Sequence, residues 1–235
     1  MKKNIHIIIG DIHGRNNWKT IVKNNPNADK YIFIGDYFDS FDISSVLQLH
    51  NFKEILKFKT ENSERVILLC GNHDYHYLSG IPIGTVYSGY QMGMVWDYAN
   101  ILNPLIRQEV LQVAFEFNGY LITHAGVSKT WCNNVGIDVN NVVEDVNTLF
   151  IYKLKDFGKC GVNMYGDSID EGPFWIRPKS LRKDKIDNYQ QIVGHTACNE
   201  ILTIDNVTVI DTLEYDKYLI LQTINGNTSM IIGNI

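Results

Sequence analysis

Short polar clusters, each placed behind an apolar run, hold the side chains that could do chemistry in this chain. Asp11 and His13 stand in Gly10-Asp11-Ile12-His13-Gly14, and Asp36 in Gly35-Asp36-Tyr37-Phe38-Asp39. Asn72 and His73 stand in Gly71-Asn72-His73-Asp74, His124 in His124-Ala125-Gly126 and His195 in Gly194-His195-Thr196. Carboxylate, amide and imidazole are oxygen and nitrogen donors, with no thiolate among them. Such a set suits borderline divalent ions such as Mn, Fe, Zn or Co. There are enough donors for two ions that share a carboxylate, because imidazole bridges poorly. Asn72 adds an oxygen without cancelling positive charge, and the neighbouring glycines permit close backbone approach.

The elements that would position these clusters can be read from the spacing of apolar residues. Ile5 to Ile9, Tyr31 to Ile34 and Val66 to Leu69 are continuous runs of the kind that form strands buried on both faces. Between them, Trp18, Ile21 and Val22, and then Val46, Leu49, Phe52, Ile55 and Leu56, recur at helical spacing. Strands alternating with helices predict right-handed crossovers and a mostly parallel sheet. Ligands of open α/β sheets sit beyond the carboxyl ends of the strands, so the clusters are expected to converge. The stretch from Tyr75 to Ile106, broken by Gly80, Pro82, Gly84, Gly89 and Gly93, predicts a partly helical excursion over one sheet edge.

Further along, Val110 to Phe117 and Tyr120 to Thr123 flank Asn118-Gly119 and predict a hairpin. Asn140 to Leu154 predicts a helix, and residues 156–174 a loop. Ile192-Val193, Ile201 to Ile204, Val207 to Ile210, Tyr218 to Thr223 and Met230 to Ile232 predict an antiparallel set of strands. No linker, charge run or repeat divides the chain, so residues 1–235 are expected to form one domain.

Composition removes several classes of function. Hydrophobic residues at 45% and charged residues at 20% exclude disorder as the main state. A net charge of −5 lacks the overall basic footprint of a nucleic-acid binder. Cys70, Cys132, Cys160 and Cys198 form no CxxC pair, which fits reduced thiols in a cytoplasmic-type compartment. The first apolar run is about five residues long, below the roughly 7–15 of a signal-peptide core. No stretch approaches the ~18 apolar residues of a membrane span, so a soluble, cytoplasmic protein is expected.

Other residues have plain structural readings. His6 and His50 are expected in the core, as is Cys70, while His76 is placed either at a cleft mouth or in solvent. Half of Tyr37, Phe38, Tyr75 and Tyr77 are expected to pack, and one or two to line the mouth. Lys179, Arg182, Lys183 and Lys185 read as a solvated helix face, with a landing patch for a polyanion as the alternative.

In order over residues 10–196, the chain reads GDIHG, GDYFDS, GNHD, THAG and VGHT. It resembles the calcineurin-like metallophosphoesterases, whose pattern is GDxHG, GDxxDR, GNH(D/E) and two separated histidines. Within them it is most similar to the branch of PPP-type serine/threonine phosphatases and symmetrical diadenosine-tetraphosphate hydrolases. The resemblance implies an α/β fold, a two-sheet β sandwich flanked by helices. It also implies a dinuclear-metal-dependent phosphoester hydrolase, in which a metal-bridging hydroxide attacks phosphorus in line. Carried over by motif position, Asp11 and His13 would bind the first metal, Asp36 would bridge, and Asn72, His124 and His195 would complete the second. The implied ions are two divalent metals, manganese first, with Fe, Zn, Co or Ni as alternatives. His73 would be the general acid, oriented by Asp39.

Arg177, in Phe174-Trp175-Ile176-Arg177-Pro178, stands where that branch carries an arginine that grips the phosphate. Arg15 and Asn72 are the other expected substrate contacts. Two departures bear on substrate choice. Ser40 replaces the arginine that follows GDxxD, which removes one phosphate clamp, and Arg15 could partly replace it. The late motif is GHT with no further histidine two residues on, so the first metal would have fewer protein ligands. The implied partner is a phosphorylated substrate, phosphoprotein or nucleotide, with no membrane and no duplex nucleic acid. A phosphomonoesterase of the serine/threonine phosphatase type is the leading expectation. A hydrolase of dinucleoside polyphosphates or cyclic phosphodiesters comes second, and a non-catalytic scaffold third.

Overall fold

Successive side chains of a strand point to opposite faces, so a continuous apolar run must be covered on both sides. The computed structural model describes residues 3–81, 87–161, 163 and 166–235 and places these runs accordingly. In strand β1 (Lys3–Ile9), Ile7 and Ile9 join one core cluster and Ile8 joins another. Strand β2 (Lys30–Phe33) sends Tyr31 and Phe33 one way and Ile32 the other. In β3 (Val66–Leu69), Val66 and Leu68 are separated from Leu69 in the same manner. The first cluster is built with Trp18 and Ile21 of α1 (Trp18–Asn24) and with Phe52 and Ile55 of α2 (Ser45–Glu61). The second lies between two sheets and includes Ile122, Ile192, Ile210 and Leu219.

The first sheet runs β11 (Asn227–Asn234), β10 (Lys217–Ile224), β1, β2, β3, β4 (Leu111–Gln112). Strands β1 to β4 are parallel, while β10 and β11 are antiparallel additions at the edge. The second sheet runs β5 (Ala114–Phe117), β6 (Tyr120–Thr123), β7 (Gln190–Val193), β9 (Val207–Val209), β8 (Leu202–Ile204). The β5–β6 hairpin turns on Asn118 and Gly119, whose φ of 48° and 78° give the left-handed pair that a two-residue turn needs. The α/β sandwich therefore agrees with the expected architecture.

Three local expectations need correction. The run from Val110 to Phe117 is divided between sheets: Leu111 and Gln112 pair with β3, and Ala114 to Phe117 pair with β6. The β-rich residues continue across Val113 without a turn residue, so the sequence does not mark the crossing. The late strands are not one antiparallel set, because β7 is parallel to both β6 and β9, and β10 leaves for the first sheet. The parallel β6–β7 crossover is supplied by α5 (Lys129–Val135), α6 (Val142–Tyr152) and α7 (Pro178–Asp184). On α2, Val46 is 69% exposed, and the inward face is Gln48, Asn51, Phe52 and Ile55. Gln48 and Asn51 are polar because they bind loops: Gln48 accepts from the Ser40 N–H, and Asn51 donates to the Arg15 carbonyl. The excursion after Tyr75 contains α4 (Val95–Arg107), and Pro82 and Gly84 lie outside the described residues.

His50 is exposed on α2, whereas His6 is buried with its ring 3.7 Å from that of Phe117. Its Nδ1 has no hydrogen-bond partner, and burial pushes its pKa down to about 4. The folded state therefore resists a proton that the unfolded chain accepts below about pH 6.5. Stability falls as pH drops from about 6.5 to about 4, by up to ~3 kcal/mol at 1.36 kcal/mol per unit. His6→Leu is expected to flatten that loss in urea unfolding at pH 7 and pH 4.5. An unchanged difference between the two pH values would show that other groups carry it.

Candidate metal centre

β1, β2, β3, β6, β7 and β9 deliver the polar clusters from their carboxyl ends, and these ends meet along one rim of the sandwich. Backbone hydrogen bonds fasten the loops to one another. His13 N–H donates to the Asp36 carbonyl at 2.7 Å, and Gly194 N–H to the His124 carbonyl at 2.7 Å. Asp74, fully buried, accepts from Gly71 and Asp36 N–H with one oxygen and from Tyr37 N–H with the other. A Cβ at Gly71 would lie 2.1 Å from Asp36 Oδ1, and one at Gly194 would lie 2.1 Å from Asp11 Oδ1. Both positions thus need glycine for the backbone to reach the carboxylates. His13, Asp36, Asp39 and His195 all have positive φ, a strain that clusters at functional sites.

The tautomers of three imidazoles are set by backbone carbonyls. His13 Nδ1–H donates to Phe38 O at 2.6 Å, His124 Nδ1–H to Ile34 O at 3.0 Å, and His195 Nε2–H to Trp175 O at 3.2 Å. The other nitrogen of each ring is left as a bare lone pair. His124 Nε2 and His195 Nδ1 both lie 2.8 Å from Asn72 Oδ1. His13 Nε2 and His124 Nε2 lie 3.7 and 3.5 Å from Asp36 Oδ2. Lone pairs that face each other with no proton between them repel unless a cation joins them. The anchored second nitrogen is also how metal-binding histidines are oriented. Asp11, Asp36 and His124 bring donor atoms within 4.8 Å of one another. The residues therefore fit divalent ions, with Asp36 lying between the His13 and His124 sides.

Electrostatics separates the histidines into two kinds. Burial pushes the pKa of His13, His124 and His195 down, so these rings are neutral donors. Burial also acts against a charged His73, yet the carboxylates of Asp36 and Asp39 outweigh it and raise its pKa. His73 Nδ1 donates to Asp39 Oδ2 at 2.9 Å, and Tyr77 Oη donates to Asp39 Oδ1 at 2.5 Å. Asp36, despite its burial, is held below the usual carboxylate range by His124, His73 and His13 around it.

A cleft of about 420 Å³ opens onto Asp11, His13, Arg15, Asp39, Ser40 and His73. Arg15 donates to Glu214 at 2.9 Å and faces the cleft, so it supplies a guanidinium beside the metal-type donors. Arg177 is placed differently: its Nη1 donates to the His195 carbonyl at 2.6 Å and to Thr196 Oγ1 at 3.1 Å. It also lines a second hollow of about 580 Å³ together with Asp167, Thr196 and Val209, and the carboxylates of Asp11 and Asp36 act on its charge. Tyr37, Phe38, Tyr75 and Tyr77 are all buried, so none of the four lines the mouth, and Phe41, 83% exposed, is an aromatic side chain there among the described residues.

Sequence reading gives no role to Asp74, His76 or Asp211. Asp74 closes the GNHD motif, and Asp211 follows the Val207–Ile210 run just as the other clusters follow theirs. Asp211 lines the cleft, and burial, followed by the charge of Asp36, pushes its pKa up to about 7. His76 is buried, and its signal is only its position three residues after His73.

A family model described as calcineurin-like phosphoesterase matches residues 7–210. No curated protein matches the sequence significantly. The fold is similar to a protein serine/threonine phosphatase from Saccharomyces cerevisiae, at 13% identity and a TM-score of 0.57, covering 99% of this chain and 80% of that one. A candidate diadenosine tetraphosphatase is similar at 14% identity and a TM-score of 0.46, covering 98% of this chain and 94% of that one.

Proposed function

We propose a function from one premise: the chain belongs to the calcineurin-like phosphoesterase family and is a metal-dependent phosphoesterase. The finer reading is a dinuclear phosphomonoesterase of the serine/threonine phosphatase type, in a single domain over residues 1–235. One observation carries it. Three imidazoles are pinned as neutral donors by backbone carbonyls, while a fourth is held by a carboxylate and drawn toward its cationic form. Environments that push like groups apart in pKa assign the ligand and acid roles.

Two divalent ions, manganese first, would neutralise phosphate charge there and lower the pKa of water to roughly 7. Asp11, His13, Asp36, Asn72, His124 and His195 would hold them. The chain's own groups do the rest. Asp39 accepts from His73 Nδ1–H and leaves Nε2–H to protonate the departing oxygen. Arg15 presents its guanidinium to the phosphate, and Arg177 keeps the His195 loop in place through the His195 carbonyl. Asn72, between His124 and His195, fixes the second donor set and stands next to the substrate phosphate. Without cations, Asp11, Asp36 and Asp211 would repel that phosphate.

The burial of Tyr37, Phe38, Tyr75 and Tyr77 takes these four rings away from the mouth and favours the monoesterase reading. The second reading, a nucleotide-directed hydrolase, rests on exposed Phe41, which offers one stacking face at the cleft. Among the described residues no helix is long and apolar enough to cross a membrane, and we place the enzyme in the cytoplasm on its separated, reduced-type cysteines.

Rates on a phosphopeptide, a diadenosine polyphosphate and a 2′,3′-cyclic nucleotide test the substrate class. The phosphopeptide is expected to lead, and a lead by either nucleotide would overturn the monoesterase reading. Arginine variants test the clamp. Losing a charge-assisted hydrogen bond costs roughly 1.5–3 kcal/mol, or about 10- to 150-fold in kcat/KM. Arg15→Ala is expected to show that loss with metal content unchanged. Arg177→Ala is expected to weaken the metal set that includes His195 as well. If Arg177→Ala lowers kcat/KM with full metal occupancy while Arg15→Ala does nothing, the two roles are reversed.

A further inference from the structure

His76 is, besides His6, a buried imidazole that the reaction above does not use. It lies among Tyr77, Tyr87 and Tyr90, with ring centroids 4.4, 6.1 and 4.9 Å away. It is only 5% exposed, and neither of its ring nitrogens makes a hydrogen bond. Its Nε2 nevertheless sits 2.6 Å from Asp39 Oδ2, without hydrogen-bond alignment. The same oxygen is 2.9 Å from His73 Nδ1. Asp39, His73 and His76 thus bring three donor atoms within 4.8 Å of one another, as a group separate from Asp11, Asp36 and His124.

A hydrogen bond needs the donor axis to point at the acceptor. A chelate needs the ligand axes to meet at a third place: His76 Nε2 is already turned off Asp39, and His73 Nδ1 has to leave its hydrogen bond to Asp39. Buried polar groups are nearly always partnered, so a buried imidazole that touches a carboxylate off-axis is an exception with a cause. Two imidazoles and a carboxylate also match the ligand types of open zinc sites, which keep a fourth position for water or substrate. Neighbouring tetrahedral ligands about 2.1 Å from zinc lie roughly 3.4 Å apart, so the observed contacts need to open by less than ~1 Å.

We propose that Asp39, His73 and His76 form a third divalent-ion site, selective for zinc, whose occupancy switches the enzyme off. The two-nitrogen set favours zinc over manganese in the general order of affinities. The inhibitory half rests on the reading of His73 as general acid. Zinc on His73 Nδ1 takes the place of the Asp39-bound proton. The ring then becomes a neutral imidazole ligand, and its Nε2–H is a far weaker acid than that of an imidazolium.

The experiment uses the full chain loaded with manganese and dialysed against rising zinc, with metal content and activity measured on the same samples. One zinc per chain is expected to bind beyond the two ions of the main centre, giving three divalent ions in total, whichever metal fills the other two sites. His76→Phe, which suits the aromatic surroundings, is expected to take up no such zinc. In the unaltered protein, hydrolysis of an alkyl phosphate is expected to fall by about 10²–10⁴-fold as zinc saturates, and that of an activated aryl phosphate by much less. A total that never exceeds two divalent ions per chain at saturating zinc, or equal uptake by His76→Phe, overturns the site. The first of these results needs no variant, so it decides even if His76→Phe fails to fold. Zinc uptake that depends on His76 but slows both substrates equally overturns the switch and the acid role of His73, leaving the metal-binding geometry as a separate result.

Discussion

His73→Gln is expected to lose about 10²–10⁴-fold in kcat on esters with poor leaving groups while keeping its full metal content. The charge pattern around His73 is the reason. Asp39 takes its Nδ1–H, and Asp36 and Asp39 raise its pKa against the pull of burial. The rings of His13, His124 and His195 are neutral and anchored on carbonyls. In this site the ring whose charge two carboxylates support can deliver a proton, and the neutral rings anchored on carbonyls offer lone pairs. An aryl phosphate with an acidic phenol as leaving group needs little protonation, so it should be much less affected. Plotted against leaving-group pKa, the rate of the variant should therefore fall more steeply than that of the parent. Asp39→Asn should move the slope in the same direction, because the amide keeps the contact and drops the charge. Parallel slopes, or loss of metal from His73→Gln, would remove His73 from the acid role.

What could be read from the sequence follows from how local the information is. Asp11, Asp36, Asn72, His124 and His195 each lie within three residues of a strand end, and a strand end is marked by its own apolar run. The parallel order of β1, β2 and β3 follows from the helices between them. Pairing between distant segments leaves no such mark. Leu111 and Ala114 belong to different sheets although one apolar run contains both. The roles of Arg15 and Arg177 depend on a loop-to-loop distance. Arg177 follows the expected Trp-x-Arg spacing, but nothing local marks the bond from its Nη1 to the His195 carbonyl, or the place of Arg15 on the cleft with Asp11 and His13. Asp74 is quoted in its motif, but its three backbone donors come partly from the loop after β2, which the motif itself cannot reveal. His76 pairs with Asp39 across a long stretch of chain, and its position alone fits solvent as well as the interior.

Removal of divalent ions is expected to lower Tm by about 10–20 °C. A ligand at a hundred times its Kd stabilises the folded state by about 2.7 kcal/mol, so two sites supply roughly 5 kcal/mol. For chains of this size each kcal/mol moves Tm by about 2–4 °C. Asp36→Asn separates the ions from the rest of the fold, because Asp36 Oδ2 lies between the two donor sets, 3.7 Å from His13 Nε2 and 3.5 Å from His124 Nε2. The substitution keeps the oxygen that accepts from the His73 N–H and removes the charge. In manganese the variant should lose most of the metal-dependent rise. In chelator its order relative to the parent should reverse. Burial first, and with it the charge of Asp36, pushes up the pKa of Asp11, Asp74 and Asp211, so without ions Asp36 adds repulsion to a buried acidic cluster. At pH 8 the neutral rings of His13 and His124 offset little of that repulsion. The two melting curves are thus expected to cross: Asp36→Asn below the parent with manganese, and level with it or above it in chelator. An equal manganese-dependent rise in both proteins would show that Asp36 is not shared between the ions, and a variant that melts lower in chelator would show that its carboxylate supports the fold directly.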